Sequence, residues 1–268
     1  MSEMSFANSD LPVVLTVSAS DSGSGSGIQA DLKTLNNLGV FGVTAITCIT
    51  AQTPSEIRSI SPLAPDLVHE QIRAVSDGFP IAAAKTGLLY NRDIILAVAR
   101  ADVSQGIPIL VVDPEMISSS GVRLLQPDAI EALRAELIPL ARVVTPNVYE
   151  AEILSGMKIT SIDELAKAAR AISEMFDIAC VAKGGSLQGD TKTDVLCDEG
   201  VLEFFRSPRV DAPETHGAGC VFSAALAAYL ARGELMVEAV NKAKQFVVRA
   251  LRAAPQVGHH RPLNLLGT

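Results

Sequence analysis

The strongest constraint on this chain is an alternation. Short runs rich in Val, Ile and Ala, at residues 13–17, 43–50, 81–85, 107–113, 142–145 and 178–183, are separated by stretches whose apolar residues recur at helical spacing. A strand that returns only after a helix lies parallel to its predecessor, and the crossover helices cover the faces of the sheet. The expected fold is therefore α/β in three layers, a mostly parallel central sheet with helices on both faces. The runs also share an ending. Asp21, Gln52, Lys85, Asp113, Asn147 and Lys183 each stand at or just after the last strand-like residue. Open sheets of this kind bind ligands beyond the carboxyl ends of their strands, so these six polar groups are expected to converge on one edge.

Scaffold signals surround this pattern. Ser161-Ile-Asp-Glu164 reads as a capping box, followed by Ile162, Leu165, Ala169, Ile172 and Phe176 at helical spacing. The runs 195–196 and 201–205, separated by Asp198-Glu-Gly200, read as an antiparallel hairpin at the sheet edge. The long helices after Gly217 and Gly233 have apolar faces expected to pack on the sheet. With no linker and no repeat, residues 1–268 are read as one domain, with flexible tails at 1–10 and about 255–268.

Composition excludes several functions. A net charge of −8, no Trp and 4% aromatic residues argue against nucleic-acid binding. No apolar run reaches the length of a membrane span, and residues 1–10 lack the basic start and apolar stretch of a secretory signal, so a cytoplasmic protein is expected. Cys48, Cys180, Cys197 and Cys220 are too scattered for a disulfide framework or a metal site.

Two glycine-containing junctions carry the chemistry. In Thr215-His-Gly-Ala-Gly-Cys220 a loop becomes a long apolar helix. Such a start aims unpaired N–H groups and the positive end of the helix dipole at one point, which suits an anion. Gly217 and Gly219 let the backbone approach a phosphoryl group, and Cys220 would sit where a thiolate is favoured; a glycine-capped loop with a buried cysteine is the plainer reading. The second junction, residues 19–27, holds Gly23, Gly25 and Gly27 between a β-branched run and a helix with Ile28, Leu32 and Leu35 on one side. A dinucleotide fingerprint would need an acidic residue after the next strand, and Gln52 stands there instead.

Together with Gln52, Lys85-Thr-Gly87, Asp113-Pro114, Thr145-Pro-Asn147 with Glu150, and Lys183-Gly-Gly185, these segments resemble one family. They are similar to the hydroxymethylpyrimidine/phosphomethylpyrimidine kinases of thiamine synthesis, in the ribokinase-like superfamily, from about residue 13 to 250. The resemblance implies ATP and Mg²⁺ as cofactors, a small aminopyrimidine alcohol and its phosphate as substrates, and a homodimer. It implies an anion hole at Gly217, Ala218 and Gly219, with Cys220 as proton acceptor or as part of that hole, and Lys183 as a charge on the transferring phosphate. Asp113, Thr145, Asn147, Lys183 and Gly185 would contact ATP, and Asp113 and Glu150 would organise Mg²⁺, though strand-end and helix-start roles also explain those two carboxylates. Ala19, Asp21, Gly25, Gly27, Asp31, Gln52, Gly87 and Leu88 would form the acceptor site, with Gln52 reading the amino and ring-nitrogen edge and Asp31 near the hydroxymethyl group. His216 reads as a loop cap or a phosphate contact, and His259 and His260 as tail residues. The sequence departs from the family pattern at Ala19, Ser24, Ser26, Glu115, Ser186 and Ala218. The rival readings are a pyridoxal or pyridoxine kinase of the same fold and a non-catalytic ligand-binding homologue.

Overall fold

The structure is a computed structural model that describes residues 11–53, 56–117, 123–210 and 216–266. The expected tail at 1–10 and Thr215 lie outside the described residues. Nine strands form one sheet in the order β3-β2-β1-β4-β5-β6-β7-β8-β9. They are β1 (Val13–Asp21), β2 (Phe41–Thr53), β3 (Glu56–Pro62), β4 (Ile81–Thr86), β5 (Leu110–Val112), β6 (Val143–Val144), β7 (Ala179–Lys183), β8 (Thr191–Asp198) and β9 (Val201–Pro208). The strands from β2 to β7 in that order pair in parallel, while β3, β8 and β9 add antiparallel edges. The strand order turns back on itself at β1, flanked by β2 and β4, which opens a crevice above its carboxyl end.

Helices cover both faces. On one lie α2 (Pro65–Gly78), α3 (Arg92–Gln105), α4 (Pro127–Ala132), α5 (Val148–Ser155) and α6 (Ile162–Phe176), with a short π-helical turn at Leu133–Leu137. On the other lie α1 (Gly27–Asn37), α7 (Ala218–Ala231) and α8 (Met236–Arg252). Every residue of α7 from Cys220 to Leu230 is buried, because Ala, Ser and Val let it press against β1, β4 and β5 while α1 and α8 cover its outer side.

Four expectations change. The hairpin is longer, and the first strand runs on to Asp21 before it meets the second glycine junction. The segment from 255, read as a tail, folds back: Leu263 and Leu265 are buried beside α8, and the Asn264 N–H donates to Ala250 O. At α6 the Ser161 side chain does accept from Glu164 N–H, but the Glu164 carboxylate turns one residue further back, accepting from Thr160 N–H at 2.7 Å and from its hydroxyl. The complete reciprocal box belongs to α5, where Asn147 caps Glu150 N–H and Glu150 returns the bond at 2.8 Å.

Candidate active site

One cavity of about 750 Å³ runs along the carboxyl-end edge of the sheet, a size usual for small-molecule sites. Ala19, Asp21, Gly27, Gln52 and Leu88 line it near β1 and β2. Asp113, Glu115, Asn147, Glu150, Lys183 and Gly185 line its middle, and His216, Gly217, Ala218, Gly219 and Cys220 its helix-start side.

The start of α7 lines the cavity largely with backbone. Gly217 has φ +85 as the N-cap of α7, and a Cβ there would come within 1.9 Å of Gly25 O, so only glycine fits. The first intrahelical bond is Val221 N–H to Gly217 O, leaving the earlier amides without helical partners at the cavity wall. Gly219 faces Lys183, since a Cβ on it would lie 3.3 Å from Nζ.

Lys183 bonds Asp113 Oδ1 at 3.2 Å, and Ser223 Oγ donates to Asp113 Oδ2 at 2.9 Å. Burial works against the Lys183 ammonium, but Asp113 and Glu150 hold its pKa above the ordinary value. Glu150 accepts Met116 N–H and Asn147 N–H, one on each oxygen. Burial and the nearby Asp113 push its carboxyl up to about 8 despite Lys183. Asn147 is likewise committed, capping α5 through Oδ1 and donating from Nδ2 to Ile117 O. Asp113 works against the Glu150 charge, and a divalent cation beside these two carboxylates would relieve that repulsion.

Cys220 departs from expectation. Burial and the carboxyl of Glu115 push its thiol well above the ordinary value, outweighing Lys85. Its Sγ donates to Glu115 Oε1, and Glu115 stands half-buried in the wall with φ +38, left-handed backbone that is uncommon outside glycine. A ready thiolate is therefore not what the site holds.

Of the six groups expected on the edge, Lys85 is turned beneath it. Its Nζ bonds Asp31 at 2.9 Å, Thr16 donates to the same carboxylate at 2.6 Å, and Lys85 and Asp31 are 0% exposed. Burial opposes the Lys85 charge, but Asp31 holds its pKa above the ordinary value, while burial pushes the Asp31 carboxyl up against the pull of Lys85 and Thr16. Asp31 thus lies under the floor rather than at the cavity. Gly25, Gly87 and Thr145 also stand behind the wall: Gly87 is packed against Ser18 and Lys85, and the Thr145 hydroxyl is buried.

Asp21 organises the first loop. Oδ1 accepts Gly23 N–H, while Oδ2 accepts Gly25 N–H, Ser26 N–H and the Ser26 hydroxyl, a set that holds three loop residues around one carboxylate. Gln52 sits across this loop, its Oε1 3.2 Å from Thr50 Oγ1. The sequence reading missed the far end of the cavity, where Phe222, Val247 and Leu251 form an apolar slot beside the Asp194–Lys244 pair, 2.7 Å apart. The only signal was Phe and Val on the inner faces of two helices, which core packing explains equally well.

The sequence profile of the phosphomethylpyrimidine kinase family matches residues 21–264. A hydroxymethylpyrimidine/phosphomethylpyrimidine kinase of Haemophilus influenzae is 42% identical over 96% of this chain and 97% of its own. A pyridoxine kinase of Bacillus subtilis is 39% identical over 89% of each chain. The chain spans about half (51%) of a thiamine biosynthesis bifunctional protein of Geobacter sulfurreducens at 39% identity. A crystal structure of an ADP complex of Bacillus subtilis pyridoxal kinase superposes with a TM-score of 0.87 at 37% identity, covering 95% of this chain and 97% of that one. The fold is ribokinase-like, and the chain belongs to the phosphomethylpyrimidine kinase family as a vitamin kinase of the group that hydroxymethylpyrimidine and pyridoxal enzymes share.

Proposed function

We propose that the chain is an ATP-dependent kinase that phosphorylates 4-amino-5-hydroxymethyl-2-methylpyrimidine and then its monophosphate, serving thiamine synthesis. The observation that carries this reading is the Gln52 carboxamide in the cavity wall beside Ala19 and Gly27. An aminopyrimidine offers an amino donor next to a ring-nitrogen acceptor, and one carboxamide meets both. The acceptor alcohol would lie between Gln52 and the amides of residues 217–220, with the γ-phosphate on those amides and Lys183. Amides fixed on a helix start stabilise charge that develops in the transition state without reorganising. The adenine would fill the slot of Phe222, Val247 and Leu251. Asp113 and Glu150 would hold Mg²⁺ through water, and the ion would neutralise phosphate charge. Cys220, held as a thiol, would be part of the anion hole rather than a ready base.

The alternative is a pyridoxal or pyridoxine kinase, favoured by the 39% identity to the Bacillus subtilis enzyme. A pyridine ring lacks the amino–nitrogen edge that Gln52 suits. ATP turnover with the pyrimidine alcohol, its monophosphate and pyridoxal, measured side by side, separates the two. Gln52→Leu should cut kcat/KM for the pyrimidine about 10²-fold, as two lost hydrogen bonds of about 1–1.5 kcal/mol each imply, and leave pyridoxal turnover nearly unchanged. Faster pyridoxal turnover by the wild type, with the pyrimidine indifferent to Gln52, would assign the enzyme to vitamin B6.

A further inference from the structure

Two loops from opposite ends of the sequence meet at the cavity, and one side chain bridges them. Gly25 and Gly217 touch backbone to backbone, leaving no room for a Cβ on Gly217. His216, directly before the helix start, lays its ring across Gly25, so that a Cβ on Gly25 would come within 2.4 Å of both Cε1 and Nε2. Its Nε2 reaches to 3.6 Å from Asp21 Oδ2, the oxygen that gathers Gly25 and Ser26. That separation is an electrostatic contact, longer than a hydrogen bond. Nε2 is shielded from solvent and has no hydrogen-bond partner among the described residues. Burial raises the Asp21 pKa, but His216, Ser26 and Gly23 together bring it down to about 2. Asp21 is therefore ionised and ready for a positive partner.

We infer that His216 is a positioning residue that clasps the loop at residues 22–26 to the helix start at 217–220. Seating the acceptor and completing the anion hole then become one event. A few tenths of an ångström of closure brings His216 and Asp21 to hydrogen-bond distance, and such contacts commonly tighten when substrate binds. The clasp needs no contact between His216 and the nucleotide. This is where it differs from a histidine that grips phosphate. It rests on the kinase reading above for the identity of the acceptor and of the anion.

The test uses the full chain. Wild-type ATP turnover with the pyrimidine alcohol and with pyridoxal comes first; if neither is phosphorylated, the kinase reading fails before the clasp is tried. With turnover in hand, His216→Ala should raise KM for the acceptor and lower kcat by about tenfold each, since a misplaced reacting group is costly. ADP affinity by calorimetry should stay within about twofold, and His216→Asn should recover part of the loss. Gly25→Ala should produce the same pattern by pushing the ring aside. The double variant should be no worse than His216→Ala alone, because removing the ring makes room for the methyl group. Weaker ADP binding with an unchanged acceptor KM would make His216 a phosphate contact and overturn the clasp. Additive losses in the double variant, or an acceptor KM within twofold of wild type in His216→Ala, would overturn it as well.

Discussion

Two lysines at strand ends make the same bond to an aspartate and do different work. Lys85 on β4 and Lys183 on β7 each hold a carboxylate, at 2.9 and 3.2 Å. The Lys85–Asp31 pair is sealed, 0% exposed on both sides, with Thr16 on the neighbouring strand completing it. The side chain of Lys183 is 14% exposed and meets the cavity together with Asp113 and Glu150. A sealed pair has no alternative solvation, so its charges matter for folding. A pair that meets the cavity can hand part of its charge to a ligand.

Removing one partner should separate these roles, and the largest effect is expected beneath the floor. Lys85→Met leaves the Asp31 carboxylate buried and unpaired, at about 3–5 kcal/mol of unfolding free energy. Replacing both partners with apolar residues should restore most of that, measured by denaturant unfolding. If Lys85→Met unfolds like the wild type, the two lysines are equivalent and the comparison fails. Lys183→Met should instead lower kcat about 10²–10³-fold, the range for deleting one charge-stabilising donor. Its unfolding free energy should shift far less, because Ser223 still donates to Asp113.

A third carboxylate sharpens the contrast, because Asp21 is held chiefly by amides and a histidine. Its pKa is down from 3.8 to about 2, so the stability it adds is full above pH about 4 and is lost as pH falls through 2. Wild type should lose about 1–2 kcal/mol more than Asp21→Asn between those pH values, after allowing for partial solvent screening. The smallest effect is expected at Cys220. Because its thiol is already protonated, Cys220→Ser should cost less than about tenfold in kcat at neutral pH, whereas a poised thiolate base would cost about 10²-fold.

The layout of the sheet and the polar ends of its strands were legible because burial on both faces demands apolar runs and binding demands polar ends. The fate of Lys85 was not. A parallel strand buried on both faces has no wet side, so nothing in Ala83-Ala-Lys-Thr86 says whether a lysine points along the edge or under it. β3 escaped notice because its residues are mostly exposed and carry Glu56, Arg58 and Pro62 in place of an apolar alternation. Glu115 was visible only as a departure from a pattern. Its bond to Cys220, which reverses the thiolate expectation, required the chain to bring together residues 105 apart in sequence.

The burial of α7 has a consequence for the order in which the molecule loosens. Amide hydrogens exchange with solvent at rates set by local opening, and segments enclosed on every side open only with the whole chain. α7, enclosed from Cys220 to Leu230, belongs to the slowest-exchanging part, whereas β3 and the exposed end of β2 belong to the fastest. The molecule can therefore open around β3 and the end of β2 many times over while α7 stays in register.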